Sequence, residues 1–422
     1  MKKRVLVNFA GLVILPLCTT VLAQSLLSAH FPLGMPNHAV SGPSASMAGS
    51  GTAVVDEYLG ATLNPANMAI GSRAAFSALV SHDKVEIKDN YGSSSVSGYS
   101  PKLLSLILPL GNSSNISFAM QKQYDANLNF FTTNTFTLET PPTPTIKNTI
   151  ELQNRGGLTS WQAGWGYRFK NRLSVGVIYE RLFFNSESRN SFQSDLTYHD
   201  GITFGSSIRE TEKTSFSSNG VRFGTQIPVH EKVTAGVSAQ YAFHAKTGSM
   251  TREYQHSDDN MPQEEPKRKF NVHLPPSVNA GLCYEPNNKW IFALDLQSTI
   301  WNRYDNTLEI PDDLRTTYGV SFGTSFTPAT NRLSAKYWET INYRAGLRYS
   351  QLPLEETQEY MGTLGTGLPI PNDGGLIDII FGYGRRKSGK YSGYGYRENV
   401  TKFELGINGG RSWFQKPAAR NY

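Results

Sequence analysis

The chain has 422 residues with 40 basic and 34 acidic side chains, two cysteines and 12% aromatic residues. Lys2-Lys3-Arg4, an apolar run from Val5 to Leu17 and Val21-Leu22-Ala23 before Gln24 read as a Sec signal peptide over 1–23, whose removal takes three basic residues and leaves 37 against 34 acids. These figures exclude three classes: no basic patch is left to bind nucleic acid, Cys283 alone forms no intramolecular disulfide, and no apolar run has the length of a membrane-spanning helix. Cys18 follows Leu17, where lipidation would require a small residue, so a lipid anchor is excluded as well.

The next stretch, Gly42 to Asn67, reads GPSASMAGSGTAVVDEYLGATLNPAN. Its apolar residues keep neither the 2 nor the 3.6 period, so it is neither a strand nor an amphipathic helix. Small residues suit a segment packed compactly inside something else; a flexible surface arm is the other reading.

From Arg73 onward the dominant signal is alternation in segments of about ten residues. In Val233–Ala245, Val233, Ala235, Val237, Ala239, Tyr241 and Phe243 oppose Thr234, Gly236, Ser238 and Gln240, and Leu173–Arg181 and Thr401–Gly409 repeat the pattern. A soluble sandwich alternates too, but connection lengths separate the two cases. Short turns at Gly111-Asn112-Ser113, Lys170-Asn171, His230-Glu231 and Pro286-Asn287-Asn288 recur 57 to 59 residues apart, and each interval holds two strands and one long polar connection. Tight turns on one side and long loops on the other are the asymmetry of an outer-membrane barrel. The spacing predicts strands near 73–86, 101–110, 114–126, 158–169, 172–185, 216–228, 232–247, 271–285, 289–301, 316–327, 340–351, 358–370, 376–386 and 398–411. Polar loops are predicted over 127–157, 186–215 and 248–270. Trp161, Trp165, Tyr167 and Phe169 share one parity, and Trp290 and Trp413-Phe414 lie at strand ends, as interfacial girdles require.

Catalytic signals are weak. The eight histidines show no metal-ligand spacing, so no metal or other cofactor is predicted. Gly319-Val320-Ser321-Phe322-Gly323 fits a nucleophile elbow, which needs a sharp strand-to-helix turn, yet here alternation runs straight through it. No enzyme and no catalytic residue is predicted.

A small-residue segment ending in Asn64-Pro65-Ala66 ahead of such a barrel resembles the FadL/TodX (OMPP1) family of outer-membrane channels for hydrophobic compounds. Val272-His273-Leu274-Pro275-Pro276 through Trp290 to Trp301, Asn342-Tyr343-Arg344-Ala345-Gly346, and Thr366-Gly367-Leu368-Pro369-Ile370 followed by Ile377-Asp378 to Gly382-Tyr383-Gly384-Arg385-Arg386 and Arg397-Glu398-Asn399 to Trp413-Phe414 resemble its Bacteroidetes-type members. The resemblance implies an all-β transmembrane antiparallel barrel of about 14 strands in the Gram-negative outer membrane. Its parts would be a signal peptide (1–23), an N-terminal hatch in the lumen (24–72), the barrel (73–414) and a tail (415–422). It implies passive uptake of long-chain fatty acids or aromatic hydrocarbons with lateral release into the membrane. Expected partners are the hydrophobic solute, outer-membrane lipids and, during biogenesis, the barrel assembly machinery. Two alternatives stand: a non-transporting barrel that docks a secretion-system partner, as PorV-like barrels do, and a general porin. Gly49, Gly51 and Asp56 would belong to the hatch. Asn64, Pro65 and Ala66 would form its junction with the first strand, or an ordinary turn. The inward glycines Gly164, Gly176, Gly236 and Gly406 either make room for the hatch or relieve barrel curvature. Asp378, Lys402 and Glu404 would face the lumen as a structural charge cluster.

Overall fold

The computed structural model describes residues 33–411 apart from 39–40, 57, 59–60, 70–72, 89–92, 112, 138–143, 199, 258–260, 307–313, 330–334, 355, 372–373 and 389–396. The predicted signal peptide, the tail 415–422 and Trp413-Phe414 lie outside the described residues. A two-residue strand β1 (Met35–Pro36), a short helix α1 (Gly42–Ser46) and a 3-10 turn (Pro65–Ala69) come first. Then follow β2 (Ala74–Lys88), β3 (Ser93–Pro109), β4 (Ser114–Asp125), β5 (Leu128–Thr137), β6 (Thr145–Arg168), β7 (Ser174–Thr197), β8 (Thr203–His230) and β9 (Val233–Ala242). The next are β10 (Ala245–His256), β11 (Gln263–Glu264), β12 (Arg268–His273), β13 (Ser277–Asn287), β14 (Trp290–Thr299), β15 (Asp305–Asn306) and β16 (Thr317–Phe326). The chain finishes with β17 (Asn342–Gln351), β18 (Thr357–Ile370), β19 (Gly375–Ser388) and β20 (Arg397–Arg411).

Fourteen of these strands, β2-β3-β4-β6-β7-β8-β9-β13-β14-β16-β17-β18-β19-β20, pair antiparallel with their neighbours, and β20 closes on β2 from Ala74↔Arg411 to Lys88↔Arg397. The period of two explains the barrel. Along β2, Ala75, Ser77, Leu79, Ser81, Asp83 and Val85 are buried, while Phe76 and Val80 are exposed. Every spanning strand repeats this, so the outer surface is an apolar belt that includes Leu104, Phe118, Phe223, Leu294, Leu347 and Phe381. Such a belt is stable only against lipid, and it places the barrel in the outer membrane. Next to the short turns, Trp165, Tyr167 and Phe169 contact one another, as do Trp290, Phe292 and Phe326, which supplies the girdle at one interface. Among the described residues no helix is long and apolar enough to cross a membrane.

Two expectations are corrected. The stretches 127–157, 186–215 and 248–270, read as polar loops, are mostly strand: β5 pairs with β6, and β6, β7, β8 and β10 carry their ladders well past the apolar belt. Polarity removes a segment from lipid but not from a sheet, because Thr, Ser and Asn between Ile and Phe still alternate. The strand expected over 271–285 is broken into β12 and β13 at Leu274-Pro275-Pro276, where two successive prolines provide no ladder N–H. Above the belt, inward side chains Leu158, Leu182, Phe184, Phe216, Met250, Phe270 and Trp301 form a packed apolar cluster across the barrel.

Candidate functional site

Residues 41–54 and 61–69 are almost wholly buried, and they touch most of the inner wall. Ser41 caps α1, Pro43 opens it without an orphaned N–H, and positive φ at Ala48, Gly49 and Gly51 turns the chain away. The helix packs on β17–β20 and β2, whereas the 3-10 turn packs on β4, β6, β7 and β8. Asn64, fully buried, joins segment to wall: its amide donates to Thr52 O (2.7 Å) and Thr225 O (3.1 Å), and its carbonyl oxygen accepts the Ala66 N–H (3.0 Å). Asp56 is half-buried and accepts the Tyr58 N–H at 2.8 Å.

The wall meets this backbone with glycine. A Cβ on Gly176 would overlap the Pro65 carbonyl oxygen, one on Gly236 the Thr52 carbonyl oxygen, and one on Gly346 the Met47 carbonyl. At Gly164 it would stand 2.9 Å from Met68 Cε, and at Gly406 3.3 Å from Gly42 Cα. The wall's polar side chains finish the contact. Gln226 donates to Thr52 O, Val54 O and Asn67 Oδ1, Ser238 to Leu63 O, and Thr363 to Ser46 O. Ser321, centre of the elbow-like motif, is an inward residue of β16 beside Gly323, whose missing side chain makes room for Ser50 and Met47.

The buried charges form chains. Asp378 accepts from Arg344 (2.6 Å) and Asn408, directly under Gly42. Glu404 is buried opposite Ser81, and half-buried Lys402 lies opposite Asp83, whose carboxylate faces Lys102 at 3.7 Å. Lys102 also faces Asp125 at 3.6 Å, which is bound to Lys122 at 2.8 Å. Arg348, Glu359, Arg386 and Glu398 make a separate row through contacts of 2.5, 2.6 and 3.3 Å. Of the buried acids that sequence reading missed, Asp295 is the one that holds the backbone of the N-terminal segment. Its Oδ2 accepts both the Gly51 and the Thr52 N–H at 2.8 and 2.9 Å. The signal was present, a lone carboxylate at inward parity within WIFALDLQST, but its partner lies 244 residues away.

The β3–β4 ladder is incomplete. It runs only from Leu103↔Gln121 to Pro109↔Asn115, beyond a bulge that inserts Lys102 between Pro101 and Leu103. The unused edge of β4 is taken by β1 through Met35↔Asp125 and Pro36↔Tyr124, with the Asn37 N–H on Gln123 O at 2.8 Å. Beside this seam lies a cavity of about 110 Å³, whose lining includes Leu33, Leu158 and Trp301 as well as Arg222, Asn279 and Asp295.

A family model described as BamG matches residues 1–418. The chain belongs to the BamG family. No curated protein sequence matches this BamG-family chain. Its fold is shared with solved structures. The CymD monoaromatic hydrocarbon channel superposes with TM-score 0.59 at 15% identity, over 91% of this chain and 100% of that one. A Pseudomonas aeruginosa FadL homologue gives 0.60 at 13% identity, over 89% and 99%. The Ralstonia pickettii toluene transporter TbuX gives 0.59 at 15%, over 87% and 97%. At these identities the likeness is one of fold, a FadL/TodX-like outer-membrane barrel.

In this BamG-family chain the N-terminal segment carries a titratable anchor. His38 bonds through Nδ1 to Gln297 Oε1 at 3.0 Å, and burial first, then the nearby Arg348 guanidinium, push its pKa down to about 3 despite Glu359 on the same side. An undocked segment would protonate His38 below about pH 6.5, so undocking is favoured progressively as pH falls from 6.5 towards 3, by up to about tenfold per unit. Planar-bilayer recordings at pH 7 and 4.5 are expected to show more frequent openings at the lower pH. A His38→Gln variant is expected to lose that dependence.

Proposed function

We propose that this protein is a passive outer-membrane channel for hydrophobic compounds, fatty acids or aromatic hydrocarbons, that releases its cargo sideways through the β3–β4 seam. Residues 41–69 act as its hatch, with Asn64, Pro65 and Ala66 at the junction to β2. The Bacteroidetes-type motifs around Pro275-Pro276 and Gly382 to Arg386 support placing it with the members of that type. The observation that carries the reading is the seam itself: the β3–β4 ladder stops at Leu103 while β1 occupies the exposed edge of β4. Opening there would require displacing a strand of two residues and not breaking the closed sheet. Similarity of fold to structures named as monoaromatic hydrocarbon and toluene transporters agrees with it.

Size decides what must move. An enclosed apolar cavity of about 150 Å³ holds one benzene. The lumenal cavity here is about 110 Å³ and half polar, so cargo passes only when 33–69 shifts. Uptake of a radiolabelled fatty acid or toluene into proteoliposomes tests this, with a variant lacking residues 42–67 for comparison. Intact protein is expected to exceed empty liposomes several-fold; uptake at the empty-liposome level by both proteins would refute transport and leave a docking role.

A further inference from the structure

The ladders that continue beyond the apolar belt form a second functional surface. On the even-numbered face of this projecting sheet, paired residues line up in rows across β5, β6, β7 and β8. Phe136, Ile146, Leu196 and Phe204 form one row, and Ile150, Phe192 and Ile208 form another. Phe136, Phe192, Phe204 and Ile208 are exposed, between 41% and 63%. Between the rows runs a polar one, Asn134, Asn148, Ser194 and Ser206, in which the Asn148 carbonyl oxygen is buried with no hydrogen-bond partner among the described residues. The odd-numbered face is different: it carries Lys147, Glu151, Arg189, Asp195, Arg209 and Lys213, with Phe131 as its apolar exception.

The parity gives the direction. In β7 the even residues are those that face inward lower down, through Ile178, Leu182 and Phe184, and no register shift interrupts the β6–β7 or β7–β8 ladders. The apolar face therefore looks over the mouth of the barrel and the charged face looks out over the membrane surroundings. An apolar face in water is a cost unless it is covered.

We propose that this face is the docking site of a folded protein at the cell surface, seated over the barrel mouth. Four strands at ~4.8 Å spacing and about ten residues at ~3.3 Å give roughly 630 Å², at the lower end of one side of a standard protein–protein interface, about 600–1,000 Å² per partner. A single-ring solute would leave most of it wet. A second copy in the same membrane would approach from outside the barrel and meet the charged face first. The partner must present two apolar rows about 13 Å apart, with small polar groups between them to meet Asn134, Ser194 and Ser206. This inference does not depend on transport.

The test is site-specific photo-crosslinking in cells producing the full chain, with the photoreactive residue at Phe192 or Phe204 on one face and at Gln193 on the other. One and the same surface protein is expected to be captured from both inner positions and not from Gln193. That protein, purified, is expected to bind the barrel in nanodiscs, and the Phe192→Asp/Phe204→Asp variant to bind at least about tenfold more weakly while keeping the barrel's heat-modifiable gel migration. Equal capture from both faces, adducts with lipid or with a second copy of this chain alone, or unchanged binding by the double variant would overturn the proposal, as would no adduct from the inner positions.

Discussion

Substituting leucine at both Gly176 and Gly236 is expected to expel the N-terminal segment from the inner wall while leaving the barrel closed. At each position the obstacle is a backbone carbonyl, of Pro65 and Thr52, which cannot swing aside as a side chain can. Overpacking typically costs about 1–3 kcal/mol per site, so two sites shift docking by roughly thirtyfold or more. The protein contains its own reporter. Cys283 is buried against Met47, Ala53, Val54 and Leu63 and is the one cysteine after the expected signal peptide. A membrane-impermeant maleimide is expected to leave Cys283 unlabelled in the parent and to label it in the double variant. Gly382→Ala serves as control, since a Cβ there meets nothing closer than 3.4 Å. If these glycines serve curvature instead, barrel stability falls but Cys283 stays shielded.

Glu359→Leu is the second large effect. Glu359 is 2% exposed and lies between Arg348 and Arg386, so its loss leaves two guanidiniums buried with one carboxylate, Glu398, still beside Arg386. Breaking a buried ion pair from one side costs about 3–5 kcal/mol. Urea unfolding in detergent, followed by gel migration of unboiled samples, is expected to show a loss of that order. Glu187→Leu removes the half-exposed partner of the exposed Arg189 and is expected to cost less than about 1 kcal/mol. Equal effects of the two substitutions would show that the inner row is hydrated and not part of the fold's support.

The spanning strands were legible because lipid outside and polar groups inside impose alternation over some ten residues, which one sequence displays plainly in Val233–Ala242. Two boundaries moved for identifiable reasons: Pro275-Pro276 cut one strand, and Phe243-His244 ended β9 before β10 began. The extension of β6, β7 and β8 was missed because the same Thr and Ser residues that rule out lipid also suit a solvated sheet. Of the inner wall, Gly176 and Gly236 were readable from parity. Gly224, which lies against Asn64 and Pro65, carried the same signal and was passed over. The grouping of charges was not readable, since Arg344 with Asp378 and Lys102 with Asp83 depend on which strands neighbour each other and in what register. The gap between β3 and β4 was hidden for a similar reason: Pro101-Lys102 looks like a strand start, yet β3 goes on pairing with β2 beyond it, and only the register with β4 shows that this ladder stops at Leu103.

Order of synthesis gives the contacts of α1 a further meaning. Ser46 meets Thr363 across 317 residues, and apart from β2 the helix rests on β17–β20, the barrel strands that leave the exporting machinery last. What is made first is therefore seated last, after β20 has closed on β2. Contacts so distant in sequence form late and slowly, and during the wait the segment must neither aggregate nor enter lipid. Its many Gly, Ala and Ser residues, with no long run of large apolar side chains, suit a chain that has to stay unattached until its site exists, and that restraint beforehand is as much a part of its design as its final fit.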